Sequence, residues 1–352
     1  MALTRRWILI TATYGLAALA GVLHYAADQA VATFVVAGVA LAGLAWIVGV
    51  GTESVGSRFG PAVTGVLQST LGNLPELFVV LFALSAGEVV VAQTSILGSL
   101  FANALLVLGL SIVAGAARSE DSVMRFHRRL PNDTSTLLLV AVFLIVLVGL
   151  SNQSGDPASK HALAISVIGA VLLLSVYAIW LWAYLRGRET DLPALEKQEH
   201  HLAFAPAIVL LAAAGVGAAL VSDWFVAELD PAVEQLGISK AFTGLVIVAI
   251  AGNAVENLVG ITLAAKGQAD LAVSVIKNSV SQIAVFLFPT LVLLSLFFED
   301  RLTFVVNPLY IGALAIMAIS VWQITGDGEA PAFEGWALVA LYLILASIVW
   351  FE

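Results

Sequence analysis

The sequence predicts an all-α, polytopic membrane protein with about 11 transmembrane helices, arranged as one extra N-terminal helix plus two inverted five-helix repeats. Hydrophobic residues make up 61% of the 352 residues and charged residues only 11%, whereas a soluble domain has an apolar fraction of about 45–50%. Long apolar runs recur along the chain, and a motif of glycine, asparagine and glutamate occurs twice, 180 residues apart. These observations indicate a chain that lies mostly within a lipid bilayer.

Eleven apolar runs are long enough to be read as spans of about 30 Å of hydrocarbon. The first run follows Arg5 and Arg6 and is about 18 residues long, which the hydrophobic region of a signal peptide would not usually reach, so we interpret it as a retained first span. The fifth run is short, and the third, fourth, eighth and ninth are long enough to tilt or break. The runs are 7–24, 31–50, 60–86, 89–116, 136–150, 162–185, 203–221, 240–265, 270–298, 303–322 and 335–351.

Basic residues set the predicted orientation. With a cytoplasmic N-terminus, eleven of the 15 basic residues fall in cytoplasmic segments, as the positive-inside rule requires. Spans two to six then begin outside and spans seven to eleven begin inside, so the two five-span blocks run in opposite senses. We expect a multi-pass protein of a bacterial or archaeal cytoplasmic membrane.

The two blocks also match in sequence. A shift of 180 residues without gaps superposes nine pairs, namely Gly72/Gly252, Asn73/Asn253, Glu76/Glu256, Val79/Val259, Gly87/Gly267, Ala92/Ala272, Ile96/Ile276, Ser99/Ser279 and Ala104/Ala284. Inverted repeats are typical of secondary transporters, which hold their substrate near the midplane where the repeats meet. We therefore predict an extra helix over 1–27, a first repeat over 28–185, a cytoplasmic linker over 186–202 and a second repeat over 203–352. The linker is polar, and a solvated connection is favoured over a regulatory cation site or pH sensor.

Composition argues against several other functions. The net charge of −9 does not suit a nucleic-acid partner. The absence of cysteine excludes disulfides, thiolate nucleophiles and cysteine-based metal sites. Histidine and aspartate fall at or between the ends of the apolar runs, so the catalytic groups of an intramembrane hydrolase are missing. We expect neither enzyme activity nor a cofactor.

Two acids lie well inside apolar runs, Glu76 and Glu256. Desolvation favours the protonated form of such a carboxyl group, whereas a bound divalent cation favours the ionised form. Protons and metal then compete for the same oxygens, which makes the site an exchanger, and two carboxylates balance a charge of 2+. The remaining ligands of a hard cation are neutral oxygens. Asn73 and Asn253, three residues before each acid, supply amide carbonyls.

Glycine adjoins both asparagines. Gly72 and Gly252 can loosen the helix and let backbone carbonyls face the ion, with Pro75 assisting in the first copy. In the next spans, two pairs of polar residues can each lie on one helix face, toward a contact between helices. The pairs are Ser99 with Asn103 and Ser279 with Gln282. These pairs are predicted to line a proton and cation pathway. Gln93, Thr94 and Ser281 are interpreted as contacts between helices.

Lys277 is the one basic residue inside a predicted span. A cation two residues before Ser279 would repel a metal ion if it faced the site. We therefore predict that its side chain extends toward the cytoplasmic interface, about seven residues away near Asp270.

These motifs resemble the cation/proton exchanger family of the cation/Ca²⁺ exchanger superfamily, and specifically its bacterial Ca²⁺/H⁺ antiporters. The first repeat carries Gly72-Asn73-Leu74-Pro75-Glu76-Leu77 and Gln93-Thr94-Ser95-Ile96-Leu97-Gly98-Ser99 with Asn103; the second carries Gly252-Asn253-Ala254-Val255-Glu256 and Ser279 with Gln282-Ile283-Ala284. The resemblance covers spans two to eleven. It implies that Glu76 and Glu256 bind Ca²⁺ and protons in turn, that Asn73 and Asn253 assist, and that Ser99, Asn103, Ser279 and Gln282 line the site.

The resemblance has two departures. Asn257 stands where many eukaryotic members carry histidine, and Lys277 with Ser281 lies in a block expected to be more apolar. The Na⁺/Ca²⁺ branch typically carries hydroxyl residues after the motif glycine, where this chain has Asn73. Exchange of Ca²⁺ for H⁺ across the bilayer is therefore favoured over a Na⁺-coupled or Mg²⁺/Mn²⁺ exchanger of the same fold, and over a cation channel. The sequence leaves open whether the protein is a homo-oligomer.

Overall fold

A computed structural model describes residues 2–27, 29–56, 58, 71–127, 129–186 and 202–352. Within these ranges the side chains of 2–5, 129–131, 185 and 255–256 lie outside the description. The described chain is helical apart from two short strands and the connecting turns. Its helices are α1 (Ala2–Ala26), α2 (Ala30–Gly56), α3 (Leu74–Ser85), α4 (Val89–Ala116), α5 (Arg129–Ser154), α6 (Ala162–Arg186), α7 (Phe204–Ala227), α8 (Leu229–Leu236), α9 (Lys240–Gly252), α10 (Ala254–Ala265), α11 (Ala269–Phe297), α12 (Pro308–Gly326) and α13 (Ala332–Trp350).

The helix lengths confirm an all-α, multi-pass membrane protein. In the described ranges, nine helices are long and apolar enough to cross a bilayer, and α8 with α9, bent by 114°, would make a tenth span. The predicted count of eleven is not confirmed, because residues 59–70 of the third predicted span lie outside the described residues. The predicted eighth span over 240–265 is broken, since α9 ends at Gly252 and α10 begins at Ala254.

The sequence repeat has a counterpart in the local backbone. Helices α3 and α10 each have 12 residues and begin 180 positions apart, at Leu74 and Ala254. Each is followed by a glycine in the left-handed region, Gly87 with φ of 80° and Gly267 with φ of 83°. A side chain at either position would be strained, which explains glycine in both copies. The predicted repeat boundaries and their inverted orientation stay a prediction.

Two long helices carry π-helical segments at matching positions. The segment Ala102–Val107 interrupts α4, and Ile283–Leu287 interrupts α11. A third, Thr243–Val248, lies in α9. A π turn inserts an extra residue into the helical ladder, shifts the faces of the helix on either side and is frequent at functional sites.

The chain divides into two compact units, each assembled from separate stretches. The first unit contains Met1–Ser95 and Tyr184–Val255. In it, α2 packs against α1 and α7, and α3 packs against α7. The rings of Phe34 and Phe225 stack with centroids 4.4 Å apart in the core of this unit.

The second unit contains Ile96–Ala183 and Glu256–Glu352. Here α5 packs against α11 and α12, and α13 packs against the end of α4. A Cβ atom added to Gly109 would lie 2.6 Å from the Gly335 carbonyl oxygen, so α4 and α13 approach as closely as small residues allow.

Two strands connect helix ends within the second unit. Strand β1 (Val123–Arg125) pairs antiparallel with β2 (Glu329–Pro331), with Met124 opposite Ala330. Arg125 donates a hydrogen bond to Asp121 at 2.5 Å, which lowers the pKa of that carboxyl group below its ordinary value. The segment after α4 is thereby fastened to the start of α13.

The left-handed turn at Gly267 yields a stability prediction. Gly267→Ala is expected to cost about 1–2 kcal/mol, because an L-residue is strained at this φ. Gly312→Ala is the matched control: this glycine lies within α12, and its added methyl group would meet no atom within 4 Å. Thermal unfolding of the purified proteins at one scan rate should show a lower transition only for Gly267→Ala.

Candidate cation site

Glu76 is a buried carboxyl group at the start of a helix. It lies in the first turn of α3 and is 1% exposed. Leu71 and Gly72 are helical, Asn73 forms a turn with φ of −85° and ψ of 7°, and α3 begins at the next residue. Pro75 suits this first turn because it has no N–H to leave unbonded. The positive end of the α3 dipole therefore lies beside Glu76.

A small internal cavity of the first unit adjoins this carboxyl group. Its volume is about 10 Å³, and its walls include Glu76, Gly252, Leu41 and Phe225. A cavity of this size approaches the roughly 10–15 Å³ needed by one water molecule. A dehydrated hard cation makes contacts of about 2.3–2.6 Å with oxygen and needs less room.

Gly252 brings the second motif to the same cavity. A Cβ atom added to Gly252 would lie 3.7 Å from the Cβ atom of Glu76, so the backbone of α9 passes directly beside the acid. The structure thus joins the two copies of the predicted motif through Glu76 and Gly252. Both belong to the first unit.

Asn253 breaks the helix in the second copy as Asn73 does in the first. Its φ of −105° and ψ of 14° lie in the sparsely populated bridge region, where many active-site residues occur. Its side-chain Nδ2 donates to the Ala249 carbonyl oxygen at 2.9 Å, so Oδ1 points away from that carbonyl. Asn73 and Asn253 are 4% and 2% exposed. Both amides are therefore held in the interior at helix breaks.

Glu256 lies in the first turn of α10, three residues after Asn253. Its side chain lies outside the described residues. The predicted pairing of Glu76 with Glu256 therefore stays a prediction.

The polar pairs of the following helices are buried in the second unit. Ser99, Asn103, Ser279 and Gln282 are each no more than 3% exposed. Asn103 lies inside the π-helical segment of α4, and its Nδ2 donates to the Ser99 carbonyl oxygen at 3.1 Å. Its Oδ1 is buried and accepts no hydrogen bond within the part of the chain that the structure describes. A buried acceptor of this kind suits a cation or a proton donor.

The two polar pairs lie on helices that touch. The segment Ala269–Gln282 of α11 packs against the π-helical segment of α4. Gln282 is the last residue before the π-helical segment of α11. No pattern in the sequence indicated these π turns, because a π turn depends on packing rather than on composition.

The prediction for Lys277 is wrong. The side chain does not reach solvent but is 3% exposed, and its Nζ lies 2.5 Å from Ser135 Oγ and 2.6 Å from Thr325 Oγ1. Hydroxyl groups of α5 and α12 supply partners within the membrane span, so the ammonium group need not reach water. Sequence reasoning missed Ser135 and Thr325, which are distant from Lys277 along the chain.

The predicted contacts between helices have mixed outcomes. Ser281 Oγ donates to the Thr134 carbonyl oxygen of α5 at 2.8 Å, as expected of a residue that joins helices. Thr94 Oγ1 donates to the Val90 carbonyl oxygen of its own helix at 2.7 Å, and it also packs against Gly244 of α9, where an added Cβ atom would clash with it. For Gln93 a contact between helices stays a prediction.

An ion-pair cluster joins helix ends of the first unit. Lys240 Nζ, at the start of α9, lies 2.8 Å from Glu88 Oε1 and 2.7 Å from Asp230 Oδ1. Glu88 immediately precedes α4, and Asp230 lies in the short helix α8. The helix that ends at Gly252 is thereby anchored at its other end.

Buried acidic and amide oxygens at breaks between helices are typical of the substrate sites of membrane transporters. Among the described residues, no group of three or more His, Cys, Asp or Glu side chains could hold a metal ion. Any cation held by the described residues therefore requires neutral oxygens beside a carboxylate. The Asn73 and Asn253 amides and nearby backbone carbonyls are of that kind.

The chain belongs to the sodium/calcium exchanger protein family, whose profile matches residues 29–186 and 206–351. It is 30% identical over 339 residues to the Ca(2+)/H(+) antiporter of Synechocystis, covering 91% of each chain. It is 31% identical over 348 residues to the Ca(2+)/H(+) antiporter ChaA of Bacillus subtilis, covering 97% of each. Native YfkE, a solved structure, matches with a TM-score of 0.81 and 29% identity over 98% of this chain and 99% of that chain.

Alanine substitutions at two glycines of the site helices should differ in their effect on stability. Gly252→Ala should leave the fold intact, because the new methyl group would meet only the Glu76 Cβ atom, at 3.7 Å. Gly260→Ala in α10 should destabilise by about 1–3 kcal/mol, because its Cβ would lie 2.7 Å from Ile276 Cγ1. Thermal unfolding of both variants tests this contrast, and equal losses would contradict the described packing.

Proposed function

We propose that the protein exchanges Ca²⁺ for H⁺ across the membrane. The observation that carries the proposal is a buried carboxyl group, Glu76, at a helix break beside a small cavity lined by Gly252 of the second motif. Further support comes from two relatives of nearly full coverage, which are both named Ca(2+)/H(+) antiporters. The function is transport, and it requires no resident cofactor.

Competition at two glutamates couples the two ions. When Glu76 and Glu256 are protonated, the site is neutral and burial is tolerable. When Ca²⁺ binds, both carboxylates are ionised and their two charges balance the ion, so protons must leave. Asn73 and Asn253 supply neutral oxygens, as do backbone carbonyls at Gly72 and Gly252. Ser99, Asn103, Ser279 and Gln282 line the path of protons and cations.

Transport proceeds by alternating access. In this proposal, one inverted repeat, 28–185, rocks against the other, 203–352, so that the site opens to each side in turn. The site changes the side to which it opens only when it holds protons or Ca²⁺, because enclosing an empty pair of ionised acids costs too much free energy. The protein lies in the cytoplasmic membrane with its N-terminus in the cytoplasm.

Sodium is the second candidate for the coupling ion, because the family description names sodium as well as calcium. Asn73 occupies the motif position where a hydroxyl would suit Na⁺. Uptake of Ca²⁺ that requires Na⁺ and ignores an imposed pH gradient would favour this alternative. The same assay with Mg²⁺ or Mn²⁺ as competitor measures selectivity, and conduction without any gradient coupling would indicate a channel.

Neutral variants of the two acids test the site. In proteoliposomes with an imposed pH gradient, Glu76→Gln and Glu256→Gln should each lower Ca²⁺ uptake by at least about 100-fold, because each removes a charge and a proton acceptor. Glu234→Gln is the control, since Glu234 is an exposed acid of α8. Parental uptake by either buried-acid variant would refute the assignment.

Competition also predicts a steep dependence on pH. If two protons must leave before Ca²⁺ binds, the apparent Ca²⁺ affinity should fall by up to about 100-fold per pH unit on acidification. Adding Ca²⁺ to purified protein in weak buffer should release close to two protons per bound ion. A pH-independent affinity together with no proton release would contradict coupling at a shared site.

A further inference from the structure

Lys277 is a buried basic residue to which the proposed exchange assigns no role. It is 3% exposed within α11. Ionisable residues inside membrane spans are costly, and they usually have partners and a function. Thr325 Oγ1 donates its own proton to the Val321 carbonyl oxygen at 2.6 Å, so it accepts the hydrogen bond from Lys277 Nζ. Ser135 Oγ is the second partner.

These bonds connect three helices of the second unit. Ser135 lies near the start of α5, and Thr325 is the next-to-last residue of α12. The carbonyl end of a helix carries partial negative charge and favours a basic group. One turn after Lys277, Ser281 Oγ adds a further bond from α11 to the Thr134 carbonyl oxygen of α5. One face of α11 is therefore held by directional bonds to α5 and α12.

The predicted pathway residues of α11 lie on other faces. Successive residues of an α-helix are about 100° apart, so Ser281 lies about 40° from Lys277 around the axis. Ser279 lies about 200° away and Gln282 about 140° away. Lys277 can therefore occur two residues before Ser279 without facing the same space, and fixing the Lys277 face fixes where Ser279 and Gln282 point.

Burial sets the approximate rotation of α11. In this helix the less buried residues Leu271, Ser274, Val275 and Asn278 share one face, and the buried residues occupy the rest of the circumference. A stripe of about 100° orients a helix only to within a broad arc. The directional hydrogen bonds of Lys277 and Ser281 narrow the rotation within that arc.

We propose that Lys277 is a positioning residue for cation binding: its bonds to Ser135 and Thr325 hold α11 at the rotation in which Ser279 and Gln282 are presented to the pathway. This inference rests on the proposed exchange. The lysine itself touches neither the ion nor the transported protons.

A triple variant, Lys277→Met/Ser135→Ala/Thr325→Val, removes the donor and both acceptors with little change in volume. Since the three polar groups are removed together, its thermal stability should fall less than that of Lys277→Met alone, which keeps both buried hydroxyl groups. Ca²⁺ binding, measured by equilibrium dialysis of purified protein, should weaken by about 10-fold or more, as is usual when the residues that orient metal ligands are lost. Lys160→Met, at an exposed turn of the same unit, is the control and should bind as the parent does.

Single variants complete the design. Lys277→Met should weaken Ca²⁺ binding as much as the triple variant, because both hydroxyl groups act by accepting hydrogen bonds from Lys277 Nζ. Thr325→Val alone should weaken it by at least about threefold, and this milder change keeps the test decisive should the triple variant fail to fold.

The outcomes are distinguishable. If the folded variants bind Ca²⁺ with the affinity of the parent, the positioning role is overturned. If they lose thermal stability while the affinity stays unchanged, Lys277 is purely structural and the positioning role is likewise overturned. A parent protein that binds no Ca²⁺ would instead refute the proposed function.

Discussion

The cost of a carboxyl group in an apolar interior is the constraint on which the site depends. Glu76 is 1% exposed, so its charge must be matched by a proton, a cation or oriented dipoles. The break at Asn73 supplies one such dipole, because it starts a new helix whose positive end lies beside the acid. The same break permits backbone to line a cavity. A continuous helix through Glu76 would provide neither.

The repeated breaks show how similar sequences build similar local structure. Asn73 and Asn253 both adopt bridge-region dihedrals, and α3 and α10 follow them with equal lengths. Left-handed glycines then end both helices. Because each of these features depends on a few neighbouring residues, a shift of 180 positions in the sequence is enough to predict that they recur. The acids are consequently set in equivalent first turns.

Buried polar groups within the membrane-spanning helices have two distinct uses in this protein. Asn103 directs its amide group to a carbonyl of its own helix and leaves a buried acceptor oxygen. Lys277 and Ser281 instead bond neighbouring helices. In a membrane, where apolar surfaces of helices and lipids are alike, such bonds contribute to helix orientation that hydrophobic burial cannot supply. Buried polar residues therefore differ in role according to the groups that they contact.

The sequence by itself determined the all-α membrane class, the repeated motif and the identity of Glu76 and the two asparagines as buried polar residues, because apolar run length and local turn chemistry act over short stretches. Only the tertiary structure decided that Gly252 passes beside Glu76, that Phe225 and Leu41 close the cavity and that Lys277 bonds Ser135 and Thr325. These contacts join residues far apart in the chain. Packing geometry determines which residues meet, and it leaves no periodic pattern in the sequence from which the contacts could be predicted.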